Sequence, residues 1–271
     1  MAAPLQAEKP SGVQLTVDER RHFEERGWVR VAAAFAVDDA AAMRDVVWRA
    51  LEKRGVRRDE PSSWTVEAPF HLQGLKSAPQ FNAIGTPRTF AAIGEVLQTD
   101  NWPRPRDWGA FFLLFPVARP WNVPHAGWHV DAPYDDALAP PAGVKVHALF
   151  GDVEPRAGGM TVIEGSHRVV AHVMSTAPLP DHTRAARIRK YLLACDPWFK
   201  ELSTPGEPEL RIAQFVDATT DVFGTAVRVV EMTGRAGDVI LMHPLLLHTR
   251  PTNAGGQPRF LVNKDLRVGG R

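Results

Sequence analysis

A single cysteine, Cys195, among 271 residues leaves no possibility of an internal disulfide or a thiolate-based zinc cluster, and such scarcity fits a reducing compartment. No stretch approaches the roughly 18 consecutive apolar residues that mark a membrane-spanning helix. Neither sign of charge dominates, with 32 basic against 31 acidic residues, so no polyanion-binding surface is indicated and no nucleic-acid partner is expected. The start, Met1 to Pro10, lacks a basic segment followed by an apolar core and is not read as a secretory signal. Gly158 and Gly159 are not followed by a P-loop lysine in a strand-to-helix context, so they read as hairpin glycines and not as a phosphate cradle. Internal repeats and low-complexity tracts are also lacking. The expectation is a cytoplasmic protein with a flexible tail over residues 1–13 and one domain over residues 14–271, long enough for a large core.

Local patterns divide that domain. Thr16-Val17-Asp18-Glu19 is a capping-box sequence and Gly27 is placed to close the helix that follows. Ala42, Met43, Val46, Val47, Ala50 and Leu51 recur at helical spacing after Asp38, and Gly55 follows the last turn. A shorter helix is expected over Thr89 to Leu97. From about Ala110 the pattern changes to short runs of Val, Phe, Leu and Ile broken by Gly and Pro, which suits a closed all-β barrel or jelly roll. The stretch 175–224 interrupts this β half. Its centre, Thr183 to Leu193, reads as a helix carrying Arg184, Arg187, Arg189 and Lys190. An insertion beside a site mouth is where a lid or substrate grip would sit, although charge runs are usually solvated faces.

Among the histidines, His129 is distinguished by Asp131 two residues later. On a strand, residues i and i+2 share a face, so Gly127-Trp128-His129-Val130-Asp131 would present an imidazole and a carboxylate together. One imidazole from a distant strand would complete a 2-His-1-carboxylate site with open positions, suited to non-haem Fe(II) oxygen chemistry. The run from Gly237 to His248, the turn-rich stretch after it, and Pro258-Arg259-Phe260 read as two strands of a hairpin. His248 would end one strand and Arg259 would start the other. A guanidinium matches a carboxylate bidentately, so a metal ligand beside it points to an oxo-acid cosubstrate.

The remaining histidines have blander readings. His243, an odd five residues before His248, would face away from it on a regular strand. His125 and His167 sit in apparent turns beside Pro124 and Ser166. His147, alternating with apolar neighbours in Val144 to Phe150, reads first as a satisfied strand histidine and second as a pocket residue.

Taken together, Gly127 to Asp131, Gly158 to Arg168, and Gly237 to Phe260 resemble the phytanoyl-CoA dioxygenase family of Fe(II)- and 2-oxoglutarate-dependent oxygenases. The resemblance runs from about residue 14 to 266, in the family's order. It implies a double-stranded β-helix (a cupin-like jelly roll) that is mainly β with flanking α-helices. It implies His129, Asp131 and His248 as iron ligands and Arg259 as the grip on the far carboxylate of 2-oxoglutarate. The reaction implied consumes O₂ and hydroxylates a small-molecule substrate, with release of succinate and CO₂. Halogenating relatives carry Gly or Ala at the carboxylate place, which here keeps Asp131. Two departures stand out: Arg250 occupies a place usually held by a small or hydroxyl residue, and Trp108 to Phe112 lacks the family's Gln or Lys. The pocket wall is expected from Tyr134, Asp135, Asp136, the strand near Phe111 and the 175–224 insertion. A jelly-roll metallohydrolase and a non-catalytic binding protein are the other readings of the same residues.

Overall fold

The structure is a computed structural model and describes residues 15–69, 71–131, 139–176 and 184–269. The expected tail and Tyr134, Asp135 and Asp136 lie outside them. The capping box is formed as the sequence predicts. Thr16 accepts from the Glu19 amide and Glu19 caps the Thr16 amide at the start of α1, Val17–Arg26, and Gly27 closes the helix with φ +83°. β1, Trp28–Val31, follows directly. α2, Val37–Glu52, buries Met43, Val47, Trp48 and Leu51 on one face, and α3, Pro87–Leu97, is capped by Thr86.

The β core comprises β2, Ala110–Leu114; β3, Gly143–Leu149; β4, Thr161–Glu164; β5, Thr220–Val222; β6, Thr225–Glu231; β7, Val239–Met242; β8, His248–Thr249; and β9, Arg259–Arg267. Two antiparallel sheets form, one in the order β1-β7-β3-β9-β2 and the other β5-β6-β4-β8. They face each other as a double-stranded β-helix. Three apolar clusters mark the layers. Val144, Val146, Ala148, Val239, Leu241 and Val262 pack outward against α2 and α3. Leu149, Val162, Met232, Ile240, Met242 and Leu261 fill the space between the sheets. Ile163, Val227 and Val229 pack outward against α4, Ser166–Thr176, α5, Arg184–Cys195, α6, Pro197–Leu202, and α7, Pro208–Phe215. β3 is buried along its whole length because both its faces are covered.

Several expectations need correcting. The run from Gly237 to His248 is not one strand, and β8 and β9 do not form a hairpin. β7 ends at Met242 in the five-stranded sheet, and the chain turns through His243 to Leu247 before β8 pairs with β4 in the other sheet. β9 returns to the five-stranded sheet between β3 and β2. Gly158 and Gly159 likewise sit in a crossover between sheets, since β3 and β4 belong to different ones. His167 lies in the first turn of α4, a helix not anticipated. Phe111 packs outward against Phe81 and Phe150, while its neighbour Phe112 joins the inner cluster. Among the described residues no helix is long and apolar enough to cross a membrane.

His167 gives a pH test of this packing. Its ring is buried, donates to the Glu24 carbonyl through Nε2, and among the described residues has no partner at Nδ1. Burial pushes it from 6.5 down to about 4, the Glu24 contact opposing and Arg168 adding to the effect. The unfolded chain therefore takes up a proton that the folded protein refuses, so stability falls with pH between about 6.5 and about 4. His167→Gln, neutral throughout, should remove up to about 3 kcal/mol of that loss. Denaturant midpoints of both proteins from pH 7.5 to 4 check this; parallel curves would refute it.

Candidate active site

The strand registers lay out the inner face in transverse rows. Lys145 of β3 stands opposite Met242 of β7 on one side and Asp265 of β9 on the other, with Trp28 of β1 beyond Met242. The next row down holds Ile240, His147, Asn263 and Ala110, and the one below it Leu149, Leu261 and Phe112. Arg259, opposite Leu114, starts β9 at the far end. Successive rows are two residues apart, about 7 Å.

His129, Asp131 and His248 meet beside the first row. His129 is not in a strand; a single bridge joins it to His248, with backbone hydrogen bonds of 3.1 and 3.0 Å. That bridge brings the two rings to 4.4 Å between centroids. One ligand atom from each of the three residues lies within 4.8 Å of the others. His129 Nε2 is 3.5 Å from Asp131 Oδ1, and His248 Nε2 is 3.5 Å from Oδ2. His129 Nδ1 faces the Gly127 carbonyl at 2.7 Å and His248 Nδ1 faces the Leu246 carbonyl at 2.9 Å. A carbonyl only accepts, so each Nδ1 is a donor and each Nε2 is the ring atom left to face the common centre. Two imidazole Nε2 atoms and a carboxylate form a donor set that fits Fe(II).

The charges at the centre are matched. Burial alone would raise the Asp131 carboxyl, but His248 and Lys145 outweigh it and hold the group well below the usual carboxylate range. Burial and the neighbouring His248 push the His129 imidazole down, favouring the neutral ligating form. Lys145 is almost fully buried and bridges Asp131 and Asp265, the latter at 2.9 Å. These two carboxylates overcome the burial penalty and raise its ammonium above the ordinary lysine value. The sequence reading missed Lys145. Its signal was the Lys-x-His alternation within an apolar strand, two polar residues on one face.

On the facing strand β4, Glu164 accepts from Trp28 Nε1 at 3.0 Å and Arg228 Nε at 2.9 Å. Val162, one row along β4 on the same face, is the partner of His248. This end of the inner face thus presents both signs of charge.

Arg259 stands apart from the metal ligands, at the floor of the space between the sheets. It is 1 % exposed. Its guanidinium donates to the carbonyls of Gly158 and Phe112, while Nε has no partner among the described residues. Burial pushes it down to about 9, aided by Arg250 and opposed by Glu231, so it stays charged at neutral pH. A buried cation that meets mainly carbonyls suits a carboxylate entering from the metal side. Arg250 itself is exposed.

His243 lies elsewhere. Its ring is 5.0 Å from that of His167 and 6.1 Å from Phe23, and its Nδ1 accepts from the Leu245 amide. His147 is on β3 as expected, but the satisfied reading fails: neither ring nitrogen has a hydrogen-bond partner among the described residues.

Known proteins resemble this chain in sequence and in fold. Of curated sequences, the L-proline trans-4-hydroxylase of Streptomyces griseoviridis is 28% identical over 146 residues, 54% of this chain and 47% of that protein. The match therefore spans about half the length of the curated relative. Among solved structures, AviO1 from Streptomyces viridochromogenes superposes with a TM-score of 0.54 at 15% identity, covering 96% of this chain and 98% of that one. HygX from Streptomyces hygroscopicus, solved with nickel and 2-oxoglutarate bound, gives 0.53 at 18% identity, covering 94% and 88%. At such identities the likeness is one of fold. The profile of the phytanoyl-CoA dioxygenase (PhyH) family, in contrast, matches residues 6–261 and takes in the whole inner face up to Leu261. With the His-x-Asp bridge, the distal histidine and the buried arginine all inside that span or joined to it, the chain belongs to the phytanoyl-CoA dioxygenase (PhyH) family.

Proposed function

We propose that this protein is a non-haem Fe(II)- and 2-oxoglutarate-dependent dioxygenase that hydroxylates an unactivated C–H bond of a small molecule. The observation that carries the reading is the convergence of two Nε2 atoms and a carboxylate at one end of the space between the sheets, with a buried guanidinium at the other. His129, Asp131 and His248 would hold the iron. Arg259 would pair with the 5-carboxylate of 2-oxoglutarate and so set the direction in which the cosubstrate lies. The iron supplies the redox chemistry by which O₂ and 2-oxoglutarate are converted to succinate and CO₂ while one oxygen enters the substrate.

This chain's own residues position and exclude. Lys145 pins Asp131 against rotation, and the Nδ1 contacts orient both imidazoles. Leu149, Leu261, Phe112 and Val162 keep water from the space between the ends. Helices α5 to α7, within residues 175–224 of a single domain over 14–271, lie over the outer face of the smaller sheet. Arg189 of α5 and Trp128, the neighbour of His129, line a common crevice there. We assign this insertion the role of a substrate-side cover. The exposed Arg187 and Lys190 read as its solvated face.

The test is anaerobic reconstitution with Fe(II) followed by 2-oxoglutarate and O₂, with succinate followed while candidate small molecules are screened. Stimulated succinate formation supports the reading. Hydrolysis without 2-oxoglutarate turnover would favour a metallohydrolase, and absence of metal binding a binding protein. With a true substrate, labelled O₂ should place one labelled oxygen in the product even with chloride present, because Asp131 fills the place a halide would need. Chlorinated product would refute that part.

A further inference from the structure

Glu164, Trp28, Arg228 and Arg26 gather at the end of the inner face away from Arg259. Arg259 donates to the Gly158 carbonyl just ahead of β4, so β4 leads away from it, past Val162 beside His248, to Glu164. Arg228 of β6 is the register partner of Glu164. Its neighbours Val227 and Val229 pack outward, which turns Arg228 to the inner face. Glu164 is the buried centre of the group, 1 % exposed. Trp28 Nε1 donates to its Oε1 and Arg228 Nε to its Oε2.

Trp28 thereby decides how Arg228 can bind. An arginine beside a carboxylate commonly closes a fork over both oxygens, and here the indole already holds one of them. Arg228 engages through Nε alone, and among the described residues its two terminal amino groups make no hydrogen bond. Its side chain is 43 % exposed. Arg26 stands 3.8 Å from the same carboxylate, so two guanidiniums share one negative charge and a positive charge is left over. That charge and the free N–H groups match one carboxylate. A phosphate dianion would bring a second negative charge up against Glu164 with nothing to offset it. Arg228 lies two strands across and one row along from His248, roughly 12 Å between backbones. Val162 and Val230 occupy the inner face between them, which suits a carbon skeleton. We infer that Arg228 is a substrate-binding residue and that the substrate is a small carboxylic acid. Its carboxylate sits on the terminal amino groups of Arg228, and its skeleton lies over Val162 and Val230 toward the metal ligands. This rests on the proposed function above.

The test uses the full chain with Fe(II) and 2-oxoglutarate under O₂, and reads succinate. The probes are short straight-chain and alicyclic carboxylic acids, each beside its own primary amide. At least one acid should stimulate succinate formation at a concentration about tenfold or more below that of its amide. Arg228→Gln should raise the requirement for that acid by about ten- to a hundredfold and for its amide by less than about threefold. Arg228→Lys, which keeps the charge without the fork, should fall between. Amides that stimulate as well as their acids would overturn the inference, as would a panel in which no acid stimulates. An acid preference that survives Arg228→Gln would overturn it too. So would a rise in acid and amide requirements alike with a lowered melting point, the mark of a cluster that only ties the sheets together. Calorimetry of 2-oxoglutarate on the unaltered Ni(II)-loaded protein under argon separates the two readings. Uptake without any response to acids leaves the proposed function standing and removes this inference; no uptake removes both.

Discussion

Replacing His248 by alanine is expected to lower Fe(II) affinity by more than about a hundredfold, since loss of a partner one step removed from a metal already costs about ten- to a hundredfold. His129→Ala and Asp131→Ala should do the same. The reason is geometric: three donors within 4.8 Å share one centre, and removing any one leaves two. Asp131→Ala has a further consequence, because it leaves Lys145, almost fully buried, with Asp265 as its remaining carboxylate. His243→Ala and His125→Ala should bind Fe(II) normally, whatever His243→Ala costs in packing against His167 and Phe23. Anaerobic Fe(II) titration of the five variants is the measurement. Loss with His243→Ala and retention with His248→Ala would sink the ligand assignment.

Arg259→Ala should weaken 2-oxoglutarate by about ten- to several-hundredfold while leaving iron affinity near normal, because a bidentate charged pair contributes a few kcal/mol. Arg259→Lys keeps the charge but loses the planar fork and should fall between. Arg250→Ala should have the smaller effect. Arg250 is exposed, and its influence on Arg259 is a repulsion that lowers the buried guanidinium's proton affinity. Calorimetry on the Ni(II)-loaded variants reads this directly. A dominant loss with Arg250→Ala would mean that the far carboxylate lies outside the barrel and not on its floor.

The two assignments came from the sequence by different routes, and one route was faulty. His-x-Asp was legible because two-residue spacing keeps two side chains on one side, and a single bridge to His248 suffices for that even without a strand. Arg259 was placed by a hairpin that does not exist. β8 and β9 sit in different sheets, and Arg259 reaches the pocket because β9 runs along its inner wall, with Leu261, Asn263 and Asp265 on the same face. Apolar runs in a jelly roll look alike whether they are one strand or two. The turn from His243 to Leu247 is itself buried and carries no polar punctuation beyond His243 and Pro244. His147 was misread for a related reason: a strand histidine is normally satisfied, and only the cross-strand register reveals that its neighbour is another orphan.

By itself the sequence determined the capping of α1, the face of α2, the place of α3, the β character of the rest, the absence of an internal disulfide, and four of the residues on which the proposed chemistry rests. These are properties of period, cap and spacing, which act within a few residues. Only the tertiary structure decided which sheet each strand joins, that Lys145 reaches Asp131, that Asn263 stands opposite His147, and that Arg259 lies buried between the sheets. Those contacts join residues far apart in the chain. The register of antiparallel strands brings them together, and a shift of one residue would turn every one of them to the other face.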